Sequence, residues 1–131
     1  MGKLINGEIK NEILKINHYA GFYSTCSALL HNLIFYYKEY KKLPKDLDLT
    51  YCFEKYRQNN NKNVYPEYFK NFKNINVNFN KNNNVNFTHN LQFSDYSKLD
   101  FNNISPFIEK YFTPSDKVNN HVQCLLKKYN I

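Results

Sequence analysis

Residues 13–43 constrain this chain more than any other stretch. They open with a short apolar run, Ile13, Leu14 and Ile16, followed by His18, Tyr19 and Ala20. A run this short that ends in Ala-Gly predicts a buried strand rather than a helix. Gly21, Phe22, Tyr23, Ser24 and Thr25 then form a tight small-residue loop, with Ser24 or Thr25 placed to cap the helix that follows. From there Cys26, Leu30, Leu33, Tyr37 and Tyr40 recur at spacings of four and three, and Leu29, Ile34, Phe35 and Tyr36 widen the stripe. The pattern predicts a helix that buries more than one face, with His31 on the opposite side. Pro44 ends it, because proline cannot continue the hydrogen-bond ladder. Strand, loop and helix in this order indicate an α/β fold. In such folds, ligands commonly sit where the strand gives way to the helix N-terminus, because unpaired backbone N–H groups point outward there. Gly21, Phe22, Tyr23, Ser24 and Thr25 are therefore the candidate ligand-binding residues. A plain strand-to-helix turn with a capping hydroxyl is the alternative.

The remaining chain fills out one small domain over residues 1–131. Residues 1–11 read as a polar lead-in. Asp46 and Asp48 alternate with Leu47 and Leu49, which predicts a short strand or extended arm before the aromatics Tyr51, Phe53 and Tyr56. Residues 58–63 are a polar loop, and Pro66 opens a short helix. Between residues 74 and 87, Ile75, Val77, Phe79, Val85 and Phe87 alternate with asparagines, predicting a hairpin or two short strands. The competing reading is an Asn-rich insertion over about residues 74–90. Ser105 caps a helix from Pro106. Thr113, Pro114, Ser115 and Asp116 start a last helix that buries Val118, Val122, Leu125, Leu126 and Tyr129.

Several function classes are disfavoured. The first residues carry no apolar signal segment, and no run approaches the roughly 20 apolar residues of a membrane span. The expectation is a soluble, cytoplasmic chain with no membrane partner. Cys26, Cys52 and Cys124 form no C-x-x-C pair and stand at no metal-ligand spacing from a histidine, so they read as reduced thiols, with no metal and no cofactor. The net charge of +7 rests on scattered lysines and a single arginine, Arg57. Nucleic-acid readers rely on arginine, so a nucleic-acid partner is disfavoured, and the basicity reads as AT-rich coding bias. The pairs Asp46/Asp48 and Asp95/Asp100 read as solvated surface carboxylates, and no catalytic residue is identified.

The order of strand, GFYSTCSALLHNLIFYYKEYKKLPKDLD, YCFEKYR, VYPEYF, NISPFIEKYFTPSDKV and LLKKYNI resembles the N-terminal half of glycosyltransferase-like proteins from giant viruses. These are distantly similar to fucosyltransferases of the GT-B type. The resemblance covers most of the chain. It is most specific in PFIEKYFTPSDKV and GFYSTCSALLHN, and loose in the Asn-rich middle. It implies a Rossmann-like half-domain with a short sheet flanked by helices, supplying the acceptor side of a cleft, with the nucleotide sugar held mainly by a second half. Gly21 matches the glycine of the family's glycine-rich loop, while Thr25 stands where the family has an asparagine that faces the cleft. Arg57 does not match the family's arginine-containing motif. The implied function is the N-terminal portion of a fucosyltransferase-like enzyme, truncated and inactive alone. Its partners would be a sugar acceptor or nucleotide sugar, its location the host-cell cytoplasm, and its exposed apolar face a cause of self-association. A non-catalytic glycan- or protein-binding module is the runner-up, and a weak nucleic-acid binder the third reading.

Overall fold

The computed structural model describes residues 3–19, 21–52, 63–79, 85, 87, 89 and 99–130. Two strands, β1 (Gly7–Lys10) and β2 (Ile13–Ile16), pair antiparallel with Ile9 opposite Leu14. The expected polar lead-in is thus the outer strand of a hairpin. Asn11 and Glu12 turn it, both at positive φ (53° and 63°), as a two-residue turn requires if its twist is to match the strands. Gly7 is needed where it stands: a Cβ there would lie 2.8 Å from Asn32 Nδ2.

From β2 the chain enters helix α1 (Phe22–Tyr40) and returns through β3 (Asp46–Asp48), which pairs parallel to β2 with Leu47 opposite Leu14. The three strands lie in the order β1-β2-β3. A parallel pair needs a crossover, and α1 is that crossover. The chain is therefore a small α/β domain, as the sequence implies. Its helix starts earlier than expected. Ser24 and Thr25 do not cap it; Phe22 is already helical, and Gly21 precedes it without a side-chain cap. Thr25 N–H makes the first helical bond to Gly21 C=O, and Thr25 Oγ1 donates to the same oxygen at 3.1 Å. The far end comes at Lys41, whose left-handed backbone (φ 56°) lets its N–H bond Tyr37 C=O before Pro44 is reached.

The core joins Leu14 and Ile16 of β2, Leu29 and Leu33 of α1, and Leu49 beyond β3 with Phe107 and Tyr111, all fully buried. Each such side chain contributes about 1.5–3 kcal/mol on leaving water. A short helix α2 (Tyr65–Tyr68), with Pro66 in its first turn, leads to a 3-10 turn at Phe72–Asn74. Residues 75–79 continue without forming a strand, against the alternation-based expectation. Phe79 instead packs edge-on against Phe107 at 4.9 Å, so these apolar residues serve side-chain packing rather than a ladder. The rest of the expected hairpin lies largely outside the described residues.

Helix α3 (Phe101–Tyr111) begins before Ser105 and carries Pro106 inside it. Pro106 stands past the first turn, where its missing N–H forfeits the one bond that would reach Asn102 C=O. Helix α4 (Asp116–Lys128) starts as the turn chemistry implies, but at Ser115, whose Oγ accepts from Val118 N–H at 3.2 Å. It buries none of its residues: Val122, Leu125 and Tyr129 are exposed, contrary to expectation. Its apolar stripe has the helical period, but among the described residues the bonds that anchor it are at its start, from Ser115 N–H to Tyr68 C=O and Ser115 Oγ to Glu67 C=O. No described helix is long and apolar enough to cross a membrane.

Candidate functional site

The carboxyl end of β2 runs through His18 and Tyr19 into the first turn of α1. Gly21 offers no side-chain cap, and the N–H groups of Tyr23 and Ser24, which have no intrahelical acceptor, lie at the positive end of the helix dipole. Gly21 is exposed at an ordinary extended φ of −62°, so its lack of a left-handed angle rules out conformational freedom as its reason for being there. Tyr23 is 85% exposed, Phe22 and Ser24 are half-buried, and Thr25 is wholly buried. Of the five expected ligand-binding residues, four stay on the accessible side and Thr25 is turned inward. They do so as a helix start rather than as a loop. With Tyr68, Gly21, Phe22, Tyr23 and Ser24 line an open cleft of about 430 Å³.

Beyond the Phe22 and Tyr23 rings lies a second, more apolar cleft of about 370 Å³, walled by Cys26, Leu30, Phe69, Ile108 and Phe112. Phe22 holds the partition in place by stacking edge-on against Tyr68 at 5.2 Å. Cys26 sits on this wall rather than acting as a helix-terminus thiolate: burial pushes its thiol up to about 12. That excludes it as a nucleophile near neutral pH.

Three histidines that are scattered in sequence meet beside this turn. His18 Nδ1 lies 2.9 Å from Asn6 Nδ2, and its Nε2 lies 2.9 Å from Ser24 Oγ. His89 stacks edge-on against His18 at 5.1 Å, with its Nδ1 3.1 Å from Ser27 Oγ. His31, expected on the solvent side of α1, is buried and bonds both ways. Its Nε2–H donates to Lys3 C=O at 2.6 Å, and its Nδ1 accepts from His89 N–H at 3.0 Å. Burial lowers the His18 pKa below its ordinary value; burial and the neighbouring His18 and His31 do the same for His89. The site is thus a row of imidazole and hydroxyl groups in which burial favours the neutral forms of His18 and His89. Among the described residues, no three His, Cys, Asp or Glu side chains converge as metal ligands.

Among the described residues, Asp46 and Asp48 are engaged elsewhere. Asp48 Oδ1 accepts from Thr50 N–H and Oγ1, and Asp46 caps Leu47 N–H and pairs with Lys73. Asp95 and Arg57 lie outside the described residues. Sequence reasoning missed Asn6, His18, His89 and Tyr68. The one available signal was Ser24 standing six residues after His18 across a strand-to-helix junction.

No family model, curated protein or solved structure matches the chain.

Proposed function

We propose that the chain is a Rossmann-like, acceptor-side half of a fucosyltransferase-like glycosyltransferase, with its sugar-binding surface at the first turn of α1. The observation that carries this reading is the β2–α1–β3 parallel crossover, which sets an N-terminus without a side-chain cap at the carboxyl end of β2. That is the place where open α/β sheets hold their ligands. Tyr23 and Tyr68 add aromatic faces on which a sugar ring can lie, and Ser24 adds a hydroxyl. Arg57, the one arginine of the sequence, lies outside the described residues, and no described side chain at this turn carries the positive charge that would stabilise a leaving nucleoside diphosphate. The exposed α4 stripe of Val122, Leu125 and Tyr129 is where self-association of such a half would act.

Calorimetry with acceptor oligosaccharides and GDP-fucose, together with a product assay, tests the reading. Acceptor binding that is weakened about tenfold or more by Tyr23→Ala, with no transfer by this chain alone, is the expected result. Transfer by the chain alone would refute the half-enzyme part, and no sugar binding at all would refute the reading. The apolar cleft beyond Phe22 favours a second reading, a non-catalytic module that binds a glycan or an apolar peptide. Binding of both sugar and peptide ligands without any nucleotide-sugar affinity would support it.

A further inference from the structure

We propose that Ser24, His18 and Asn6 form a nucleophile, base and orienting group that hydrolyse small carboxylic esters at the mouth of α1. This activity does not depend on the glycosyltransferase reading. The three side chains form a chain of contacts, with Ser24 Oγ 2.9 Å from His18 Nε2 and His18 Nδ1 2.9 Å from Asn6 Nδ2. Both spacings are those a nucleophile needs from its base and a base from its orienting group. Each residue is fixed by a different element. Asn6 leads into β1 with a positive φ of 49° and a C=O that accepts from Asn17 N–H. His18 follows β2 and is 8% exposed, while Ser24 lies in the first turn of α1.

Ser24 reaches an open cleft of about 430 Å³. That is within the size range of small-molecule sites and large enough for an ester of a short acyl group. The chemistry balances with water as co-reactant. His18 Nε2 takes the Ser24 proton as Oγ bonds to the acyl carbon. The N–H groups of Tyr23 and Ser24, which have no intrahelical acceptor, are the donors available to the oxyanion that forms. The tetrahedral adduct then breaks its bond to the alcohol oxygen, which leaves with the proton from His18. Water attacks the acyl-serine, again giving its proton to His18, which returns that proton to Ser24 Oγ as the acid departs.

Asn6 sets the tautomer. With its amide oxygen toward His18, Nδ1 carries the proton and Nε2 can accept from Ser24. In the structure the NH₂ group, Nδ2, faces Nδ1, which makes Nε2 the donor to Ser24 Oγ, so the catalytic arrangement requires the exposed Asn6 amide to turn over. Asn6 is therefore a positioning residue, and its substitution separates catalysis from simple structural bracing. Among the described residues, His89 faces His18 with the ring centroids 5.1 Å apart, and His31 bonds the His89 N–H.

The full chain, treated with a fluorophosphonate and digested for mass spectrometry, should carry the label on Ser24. It should also turn over p-nitrophenyl acetate, with a rate that falls at acidic pH. Ser24→Ala and His18→Gln should each lose about a hundredfold or more of that rate. Asn6→Asp fixes an acceptor opposite Nδ1 and stabilises the imidazolium, so it should keep turnover and move the acid limb of the profile to higher pH. An unlabelled folded chain, label on Ser27 instead of Ser24, or an Asn6→Asp profile that does not move would overturn the assignment. The labelling of the unmodified chain decides the matter even where a variant fails to fold.

Discussion

His31 lies on the helix face that the apolar spacing assigns to solvent, yet it is among the most heavily bonded side chains of α1. It ties Lys3 to the backbone at residue 89, and its neighbour Asn32 does the same for Ile5, accepting from Ile5 N–H at 2.7 Å and donating to Ile5 C=O at 2.9 Å. Spacing rules count apolar residues, so they cannot see a face buried by hydrogen-bonding side chains beneath an N-terminal segment. His31→Ala should therefore cost about 1–3 kcal/mol through the polar groups it orphans. Leu33→Ala should cost about 2–5 kcal/mol through the cavity it leaves. Urea denaturation measures both, and a His31→Ala variant as stable as the parent would contradict the observed burial. Thiol chemistry checks the other inward-turned group. At pH 8, iodoacetamide should modify exposed Cys124 in the folded chain and spare Cys52, which is buried, and Cys26, whose thiol titrates at about 12. Rapid modification of Cys26 would contradict its place in the cleft wall.

Among the elements, β2, α1 and the short β3 were legible in the sequence. Their apolar residues keep one period each, and proline and small residues punctuate them. β1 was not, because Glu8 and Lys10 hide the alternation of Gly7 and Ile9, and its turn uses Asn-Glu rather than Asn-Gly. The alternation at residues 75–79 was clear, but it signals side-chain packing against α1 and α3 here, with no neighbouring strand. α3 and α4 were legible as helices, but α3 starts before Ser105 and α4 leaves its apolar stripe unburied. For α4, periodicity establishes an amphipathic face without saying what covers it. Val122→Ser should thus change stability by about 0.5 kcal/mol or less, as for an ordinary surface site, whereas Phe107→Ala should cost about 3–5 kcal/mol. A thermal melt in which both lose several kcal/mol would show α4 to be packed. Ser115→Ala removes the cap and the bond to Glu67 C=O, and should cost about 1–2 kcal/mol in the same measurement.

For the molecule as a whole, the buried imidazoles set a pH dependence. His18 and His89 have pKa values below the ordinary 6.5, so on acidification the unfolded chain takes up protons before the folded one does. Stability is then full above about 6.5 and declines as the pH falls below it. Replacing His18 and His89 together by Gln should flatten that decline between pH 7 and 5, and an unchanged slope would contradict the burial of the pair. Of the candidate site, the sequence displayed Gly21, Phe22, Tyr23 and Ser24, because a strand-to-helix junction is a local signal. Asn6, His18 and His89 gather only through the hairpin and the packing of distant segments on α1, which no spacing reveals. The central claim is that this gathered face is where the chain meets its ligand. Amide and side-chain chemical-shift mapping with an acceptor oligosaccharide tests it most directly. The predicted shifts cluster at Gly21, Phe22, Tyr23, Ser24, Tyr68 and the His18 ring, with α4 silent; shifts confined to α4, or to the surface around Asp46 and Lys73, would contradict the account.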